Sequence, residues 1–507
     1  MEGEKLGSIS PSSARCRSQL DSGNMSMQLY AQPTQLLILP TELFDIILTY
    51  LDPLEILYSF SNLHPRLTSL IHPFVEPIDL TRSDKNILHL YLSSIRHLIT
   101  TIKFDFKQLD ETFLSPKIFN IIELFPCLYG VVLVNIPSNQ RKYPSYIKIF
   151  KKLLSSLKMN FDFSTIIIDR HLSSQLFKND CHLQFLTIEG ISLAIDINNI
   201  QPSGIKELTC QLEYQHHLNI LCENLPRLQY LNVQIDKSDQ QKNYNIIKQQ
   251  RLSPFLNQFI ITGTYIDYDS LELLIIKYYQ SLEYLTLKIR FNNSQFINGH
   301  RLKNSLLFKL TNLKRIDFYI KLCVLKRTID LNRLISTFKT FNYSVICYHG
   351  ATDKTCTILS NPADFNDCFY IIQNNIVKYC SNMNTFDIKM NKIQTLMLND
   401  RVPLTMELFK FIHDTFLNLE ILKINIENGL DSDILTDRKL LLETIIILEI
   451  IGSCDYITLK RLLLMTSNIK TLKINDLKLL TFIRRLLDDD DVNLYKLRKQ
   501  MKVFSQR

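Results

Sequence analysis

A short string of apolar residues, spaced apolar-x-x-apolar-x-apolar, recurs along most of the chain. The alternation inside each string predicts a strand with one buried face, and many segments between the strings, such as 406–416, have the pattern of a helix. Clear instances are Leu183/Leu186/Ile188, Ile205/Leu208/Cys210, Leu228/Leu231/Val233, Leu282/Leu285/Leu287, Leu313/Ile316/Phe318, Ile393/Leu396/Leu398, Leu419/Leu422/Ile424 and Ile469/Leu472/Ile474. Weaker instances are Leu256/Phe259/Ile261 and Leu442/Ile445/Ile447.

The strings return about every 22–31 residues, which resembles the period of leucine-rich repeats, about 20–29 residues. No single repeat of this kind buries its own apolar face, but stacked neighbours do. We therefore expect an α/β fold, with an irregular leucine-rich-repeat-like solenoid over residues 81–487. The stretch 320–385 shows no clear repeat. Residues 488–507 begin with four aspartates and continue with lysines and arginine, so we expect a charged tail there.

The N-terminal part has a different pattern. Residues 1–34 hold few large apolar groups and are predicted to be disordered. From residue 36 onward, proline and acidic residues mark the starts of three short helices, beginning near Pro40, Pro53 and Pro65. Three short helices bury little apolar surface, so the unit over 35–80 is expected to need a partner surface.

Residues 39–67 resemble an F-box in the spacing of Leu-Pro, an acidic residue, apolar residues, an Asp-Pro break and a second apolar helix before a basic residue. The family usually has tryptophan after that basic residue, whereas this chain, which has no tryptophan, has Leu67. The matching residues are Leu39, Pro40, Glu42, Leu43, Ile47, Leu51, Asp52, Pro53, Leu54, Leu57, Leu63 and Arg66.

An F-box followed by leucine-rich repeats looks like the substrate receptor of an SCF-type cullin–RING ubiquitin ligase. The resemblance implies that the F-box binds the Skp adaptor and through it a cullin, while the repeats recruit a protein substrate for ubiquitin-dependent degradation. Catalysis would belong to other subunits, so we expect no enzyme activity and no cofactor. The implied adaptor-binding residues are Leu39, Pro40, Glu42, Leu43, Ile47, Leu51, Pro53, Leu54, Leu57 and Leu63.

Composition limits the alternatives. The net charge of +8 is small for 507 residues and does not predict nucleic-acid binding. No apolar run is long enough to span a membrane. The basic, amphipathic segment 148–158 is typical of a membrane-surface helix or of a repeat helix with lysines facing water, and we favour the second. The 11 cysteines include no Cys-x-x-Cys pair, which predicts buried thiols in a reducing compartment, the cytoplasm or nucleus; examples are Cys127, Cys210, Cys323 and Cys347.

Two other functions stay open at the level of sequence. The chain could be a repeat scaffold whose F-box-like segment engages no ligase. It could also hold an enzyme or nucleic-acid site within 320–385, where Cys347, His349, Cys356, Cys368 and Cys380 lie. The cysteine spacing there does not match the close pairs of structural zinc sites.

Overall fold

The structure is a computed structural model that describes much of the chain. The described residues are 39–51, 53–60, 63–71, 74, 78–81, 96–97, 99–108, 125–137, 143–162, 168–177, 181–195, 201, 203–237, 254–278, 280–291, 297–323, 330–339, 344–349, 355–361, 370–372, 393–399, 403–426, 429–431, 434, 441–452, 455–474 and 502–505. The segment 1–34, predicted to be disordered, lies outside the described residues. The chain divides into two compact units, Met1–Thr100 with Leu124–Cys127, and Thr101–Glu123 with Leu128–Arg507.

The first unit contains the three predicted helices. They are α1 (Thr41–Thr49), α2 (Pro53–Phe60) and α3 (Pro65–Ile71), followed by the short strand β1 (Ile78–Asp79). The first helix begins one residue after Pro40, whose carbonyl accepts the N–H groups of Leu43 and Phe44 at 3.1 and 3.3 Å. The buried core of this unit includes Phe44, Leu48, Ile56, Leu67 and Ile71. The rings of Phe44 and Phe60 meet edge to face, 6.5 Å apart.

The second unit is built mainly from parallel strands. Its first sheet contains β2 (Thr101–Asp105), β3 (Gly130–Ile136), β4 (Ser156–Phe161), β5 (Ile168–Asp169), β6 (Phe185–Leu193), β7 (Glu207–Tyr214), β8 (Tyr230–Lys237), β9 (Gln258–Ile266), β10 (Tyr284–Phe291), β11 (Arg315–Cys323), β12 (Ser344–His349) and β13 (Thr355–Asn361). The strands from β2 to β11 pair in chain order and in parallel, with β5 set beside β6. Consecutive repeats are therefore neighbours in space, as the repeating pattern predicts.

A second sheet is also built from parallel strands that pair in chain order. It contains β14 (Tyr370–Ile372), β15 (Thr395–Asn399), β16 (Ile421–Asn425), β17 (Ile447–Ile451), β18 (Thr471–Ile474) and β19 (Lys502–Ser505), all parallel and in chain order. The last strand lies within the segment 488–507. Leu359 of β13 belongs to the same buried cluster as the second sheet, so the two sheets share a hydrophobic core.

Helices return the chain between many of the strands. They are α4 (Phe106–Gln108), α5 (Tyr143–Leu153), α6 (Arg170–Leu176), α7 (Gln215–Asn224), α8 (Tyr268–Ile276), α9 (Gly299–Arg301, continued by a π-helical turn over Leu302–Leu307), α10 (Leu331–Lys339), α11 (Met406–Thr415) and α12 (Tyr456–Met465). The side chains of Asp267, Thr405 and Asp455 cap α8, α11 and α12 by accepting a backbone N–H three residues later. Such caps satisfy N–H groups that a helix start leaves without a partner.

The predicted apolar strings form the buried rows of the sheets. In one row Leu186, Leu208, Leu231, Phe259 and Leu285 are register neighbours, and each is at most 1% exposed. One string is placed differently from the prediction. In β17 Leu448, and not Ile445, is the register partner of Leu422, so the predicted set Leu442/Ile445/Ile447 is wrong by three residues. The surrounding run 440–451 is apolar almost throughout, so its sequence fits either register.

The stretch 320–385, in which the sequence shows no clear repeat, contains a reversal of strand direction. Strand β13 pairs antiparallel with β11 on one side and with β12 on the other, which places β12 at the end of the sheet. A β-hairpin needs no crossover helix, so the period of the parallel repeats is lost here. Cys347 and Cys356 are buried in β12 and β13. Cys368 and Cys380 lie outside the described residues.

Two expectations about individual side chains need correction. Cys127 is exposed, because it lies in a turn after Pro126 and not in a strand; Cys210 and Cys347 are buried as expected, and the side chain of Cys323 lies outside the described part. The basic segment 148–158 contributes to α5 and β4, and Lys151 is buried although it was expected to face water. Lys148 and Lys152 do face solvent.

Gly190 makes an irregularity in β6 possible. The pairing register between β6 and β7 shifts between Thr187 and Ser192, and Gly190 has φ of +83° within this shift. A Cβ atom at this position would meet the backbone carbonyl of Phe161. The shift brings Ser192 beside Gln211.

We predict that Gly190→Ala destabilises the fold. A positive φ and a backbone contact together make alanine unfavourable, at a cost of about 1–3 kcal/mol. Gly204→Ala is the matched control, because φ there is not in the left-handed region and nothing lies within 4 Å of the added Cβ. Thermal unfolding should show a lower midpoint for Gly190→Ala alone, and equal midpoints for both variants would contradict this account.

Candidate interaction surfaces

Helix α1 presents apolar side chains to solvent. Leu43, Ile46, Ile47 and Tyr50 are 45%, 55%, 40% and 84% exposed, and we name these four residues the α1 apolar face. Single exposed apolar residues are ordinary on protein surfaces, but several on one helix face mark an interaction surface. The α1 apolar face is therefore a candidate site for a protein partner.

The division between core and surface on α1 differs from the sequence interpretation. In the sequence, Leu43, Ile47 and Leu51 recur at the spacing of one helix face, a pattern that does not separate packing from docking. The structure gives the core positions to Phe44 and Leu48 and leaves Leu43 and Ile47 outside. Sequence reasoning missed Ile46 and Tyr50, although their spacing of three and seven residues from Leu43 is that of one helix face.

The other predicted adaptor-binding residues lie at the helix ends or in α2. Pro40 and Glu42 are exposed at the start of α1, and Leu63 is 57% exposed between α2 and α3. Leu39, Leu51 and Pro53 are partly buried. Leu54 and Leu57 belong to α2, but their side chains lie outside the described part of the structure. Leu67, the residue at the position of the family's tryptophan, is only 2% exposed and packs in the core of the unit.

A second candidate surface is the open face of the first sheet. Residues that alternate with the buried rows project from it, and parallel register sets them side by side. The row nearest the start of the strands, which we name the first open row, consists of Phe185, Glu207, Tyr230, Gln258, Tyr284 and Arg315. The exposed Tyr129 joins this row, with its ring 6.1 Å from that of Phe185.

Glu207 has aromatic neighbours on both adjacent strands, Phe185 and Tyr230. Burial raises the pKa of Tyr129, and the negative charge of Glu207 raises it further. The pKa of Tyr230 is also raised, first by burial and then by Glu207, while hydrogen bonds with Asn232 and Thr209 act in the opposite direction. Glu207 therefore lies within electrostatic reach of two tyrosines on the open face.

Asp236, near the end of β8, is held by neutral donors. The side-chain amide of Gln211 donates to its Oδ1 at 2.6 Å, that of Gln234 donates to the same atom at 3.5 Å, and the hydroxyl of Ser192 donates to Oδ2. Burial raises the pKa of Asp236, and the two glutamine hydrogen bonds and the charge of Lys237 offset this only in part.

The open face divides by charge. On the side of β6–β8, Glu189 pairs with Lys158 at 2.9 Å and Glu213 pairs with Lys237 at 3.2 Å. Among the residues that the structure describes, Glu207 and Asp236 have no ion pair. On the side of β10 and β11 positive charges predominate, with Lys288, Arg290 and Lys321 on neighbouring strands; Arg315 pairs with Asp317 at 2.9 Å.

Two buried thiols are held in their protonated form. Burial raises the pKa of Cys222 and Cys356 to about 12, so both thiols stay protonated near neutral pH. Within the described ranges, no three His, Cys, Asp or Glu side chains are placed to hold a metal ion. In the same ranges, no helix is long and apolar enough to cross a membrane.

Comparisons with known proteins find matches among solved structures only. No family model matches the chain, and no curated protein matches it. Among solved structures, a leucine-rich-repeat protein of Leptospira interrogans matches with 14% identity over 78% of this chain and 97% of its own, at a TM-score of 0.24. A TM-score this low carries no argument, so the description of the fold rests on strand order and register.

The fold and its open face define the class of protein. Parallel strands repeating in chain order, with one face buried under return helices and the other open, make an α/β, leucine-rich-repeat-like architecture. Stacked repeats of this kind provide extended surfaces for binding other proteins.

We predict a pH-dependent effect of Asp236→Asn on stability. The folded state holds the carboxyl proton more tightly than the unfolded state, whose pKa lies near 3.8. Ionisation of Asp236 therefore lowers the free energy of unfolding as pH rises through the raised pKa. The variant should be more stable than the native chain at pH 7, and the pH-dependent part of this difference should shrink as pH falls through the raised pKa toward 3.8 and be lost below 3.8.

Denaturant unfolding at several pH values measures this effect. The exposed Glu420→Gln serves as the control for loss of one negative charge. An advantage of Asp236→Asn that grows as the solution becomes more acidic would contradict the assigned direction.

Proposed function

We propose that this chain is a non-catalytic substrate receptor of an SCF-type ubiquitin ligase. In this proposal α1–α3 form an F-box that binds the Skp adaptor, and through it a cullin, while the open strand face recruits a protein substrate for ubiquitination and degradation. The observation that carries the proposal is the α1 apolar face on a helical unit with the residue spacing of an F-box.

The physical argument is that α1 has apolar surface on two sides. Phe44 and Leu48 supply the core of the unit, so the α1 apolar face is not needed to hold the helices together. Leaving large apolar side chains in water costs about 25 cal/mol per Å² relative to burial. A partner that covers Leu43, Ile46, Ile47 and Tyr50 would recover that free energy on binding.

The resemblance suggests roles for the remaining residues. Leu39, Pro40 and Glu42 at the start of α1, with the exposed Leu63, would border the contact with the adaptor. Leu51, Pro53, Leu54 and Leu57 are assigned to the same contact by resemblance alone. Leu67 would contribute through the core of the unit, since its side chain is buried. The proposed location is the cytoplasm or nucleus, where cysteine thiols stay reduced.

We predict that Leu43→Asp combined with Ile47→Asp abolishes binding to the Skp adaptor. A charge in an apolar contact must be desolvated without a partner, and truncating side chains at an interface centre costs about 2 kcal/mol or more, which is over tenfold in affinity. Both positions are exposed in the free chain, so the variant should keep its fold, as checked by circular dichroism. Co-purification and calorimetric titration with the adaptor measure the effect.

The matched control is Leu273→Asp, which places the same charge at a 55% exposed leucine on α8. It should bind the adaptor like the native chain. If the native chain fails to bind under conditions in which a known F-box binds, the proposal is wrong.

A second candidate function is a repeat scaffold that engages no ligase. Leu67 in place of tryptophan favours it, because leucine fills a smaller volume of the core than the residue usual in the family. This alternative predicts a protein partner on the open strand face, no adaptor complex and no effect on the turnover of that partner.

A further inference from the structure

We propose that the open face of strands β6–β8 binds an extended, basic protein segment, with lysine or arginine side chains of that segment directed at Glu207 and Asp236. This inference deepens the proposed function, because it rests on the open strand face as the substrate surface and names the class of substrate segment. It does not depend on the helices of the first unit.

The first position is built around Glu207. Its strand neighbours in the first open row are Phe185 and Tyr230, and adjacent strands lie about 4.8 Å apart. Tyr129 adds a third ring. An ammonium or guanidinium group is attracted both by a carboxylate and by the faces of aromatic rings. A basic side chain at this point would therefore meet a charge partner and rings that cover its apolar stem.

The second position is Asp236. Three donors, from Ser192, Gln211 and Gln234, fix the orientation of its carboxylate on the sheet. These donors carry no charge, and Lys237, whose charge acts on Asp236, forms its ion pair with Glu213, so the negative charge of Asp236 is only partly compensated. Glu189 and Glu213 differ in this respect, because lysines pair with them. Within the described part of the face, Glu207 and Asp236 are carboxylates without an ion pair, so charge complementarity points to them as the places where a further cation would bind.

The distance between the two positions sets the length of the segment. Tyr230, the register partner of Glu207, precedes Asp236 by six residues along β8. At 3.3 Å per residue, the separation along the strand is about 20 Å. An extended segment covers this distance in about six residues. Since side chains alternate in an extended chain, two basic residues six positions apart project from the same side.

Neighbouring charge limits where such a segment can lie. Arg290 and Lys321 are register partners on β10 and β11, and Lys288 lies two residues before Arg290. This positive region begins two strands beyond β8. These three side chains have interactions of their own and offer no carboxylate to a basic segment, which places the segment over the carboxylates of β6–β8.

The test uses the full chain and three synthetic, fluorescein-labelled peptides of equal length. The first carries lysine at positions one and seven of a Gly/Ser sequence, the second carries glutamate at those positions, and the third carries lysines at positions one and four. Fluorescence anisotropy at low salt measures the affinities. We expect the first peptide to bind more tightly than the other two.

Two single variants, their combination and two controls make the result specific. Glu207→Gln and Asp236→Asn should each weaken the first peptide by about fivefold, and the double variant should weaken it further. Glu420→Gln removes one exposed carboxylate elsewhere and should leave the affinity unchanged. Lys321→Gln should not weaken binding of the first peptide.

Several outcomes would overturn the proposal. Equal binding of the lysine and glutamate peptides would do so, and so would retention of affinity in the double variant. Preferred binding of the glutamate peptide, lost in Lys321→Gln, would assign the surface to an acidic partner instead. The pair Leu43→Asp and Ile47→Asp should not change peptide affinity, so failure of adaptor binding and failure of this inference are separate results.

Discussion

The structure depends on one constraint, namely that each strand finds its partner in the next repeat. Each strand needs a neighbour to accept and donate its backbone hydrogen bonds, and its apolar side chains need neighbours that bury them. In a parallel array both are supplied only by the stacked adjacent repeats. The buried row from Leu186 to Leu285 shows how closely successive repeats keep their register. A slip of one residue would turn every buried side chain outward. The same restriction fixes the open rows, and it is why Glu207 lies between Phe185 and Tyr230.

Much of this fold was predictable because burial of alternate residues produces an alternating pattern of apolar and polar residues in the sequence. The strings around Leu208, Leu231 and Leu422 locate their strands correctly. The strand register is ambiguous in the run containing Ile445 and Leu448, because this run is apolar at nearly every position and only pairing with β16 selects the register. The antiparallel pairing of β12 and β13 was not predictable either, since an alternating strand does not reveal the direction of its neighbour.

The candidate surfaces were less accessible to sequence reasoning than the fold. Helix α1 is apolar on more than one side, so its periodicity does not say whether Leu43 or Phe44 enters the core; contacts with α2 and α3 decide that. The carboxylate of Asp236 is oriented by side chains from three different strands, and Ser192 reaches it only because the chain changes register at Gly190. Such an arrangement depends on distances between residues far apart in the chain, which spacing along the sequence does not contain.

The hairpin of β12 and β13 has a consequence for how the protein can change over evolutionary time. Duplication or deletion of one whole repeat inside either run of parallel strands preserves the direction and pairing of all remaining strands. The same event at the hairpin would leave a strand facing a neighbour of the wrong direction. Each run can therefore gain or lose repeats independently, whereas the hairpin between them, with Leu359 in the shared core, must be inherited as one piece.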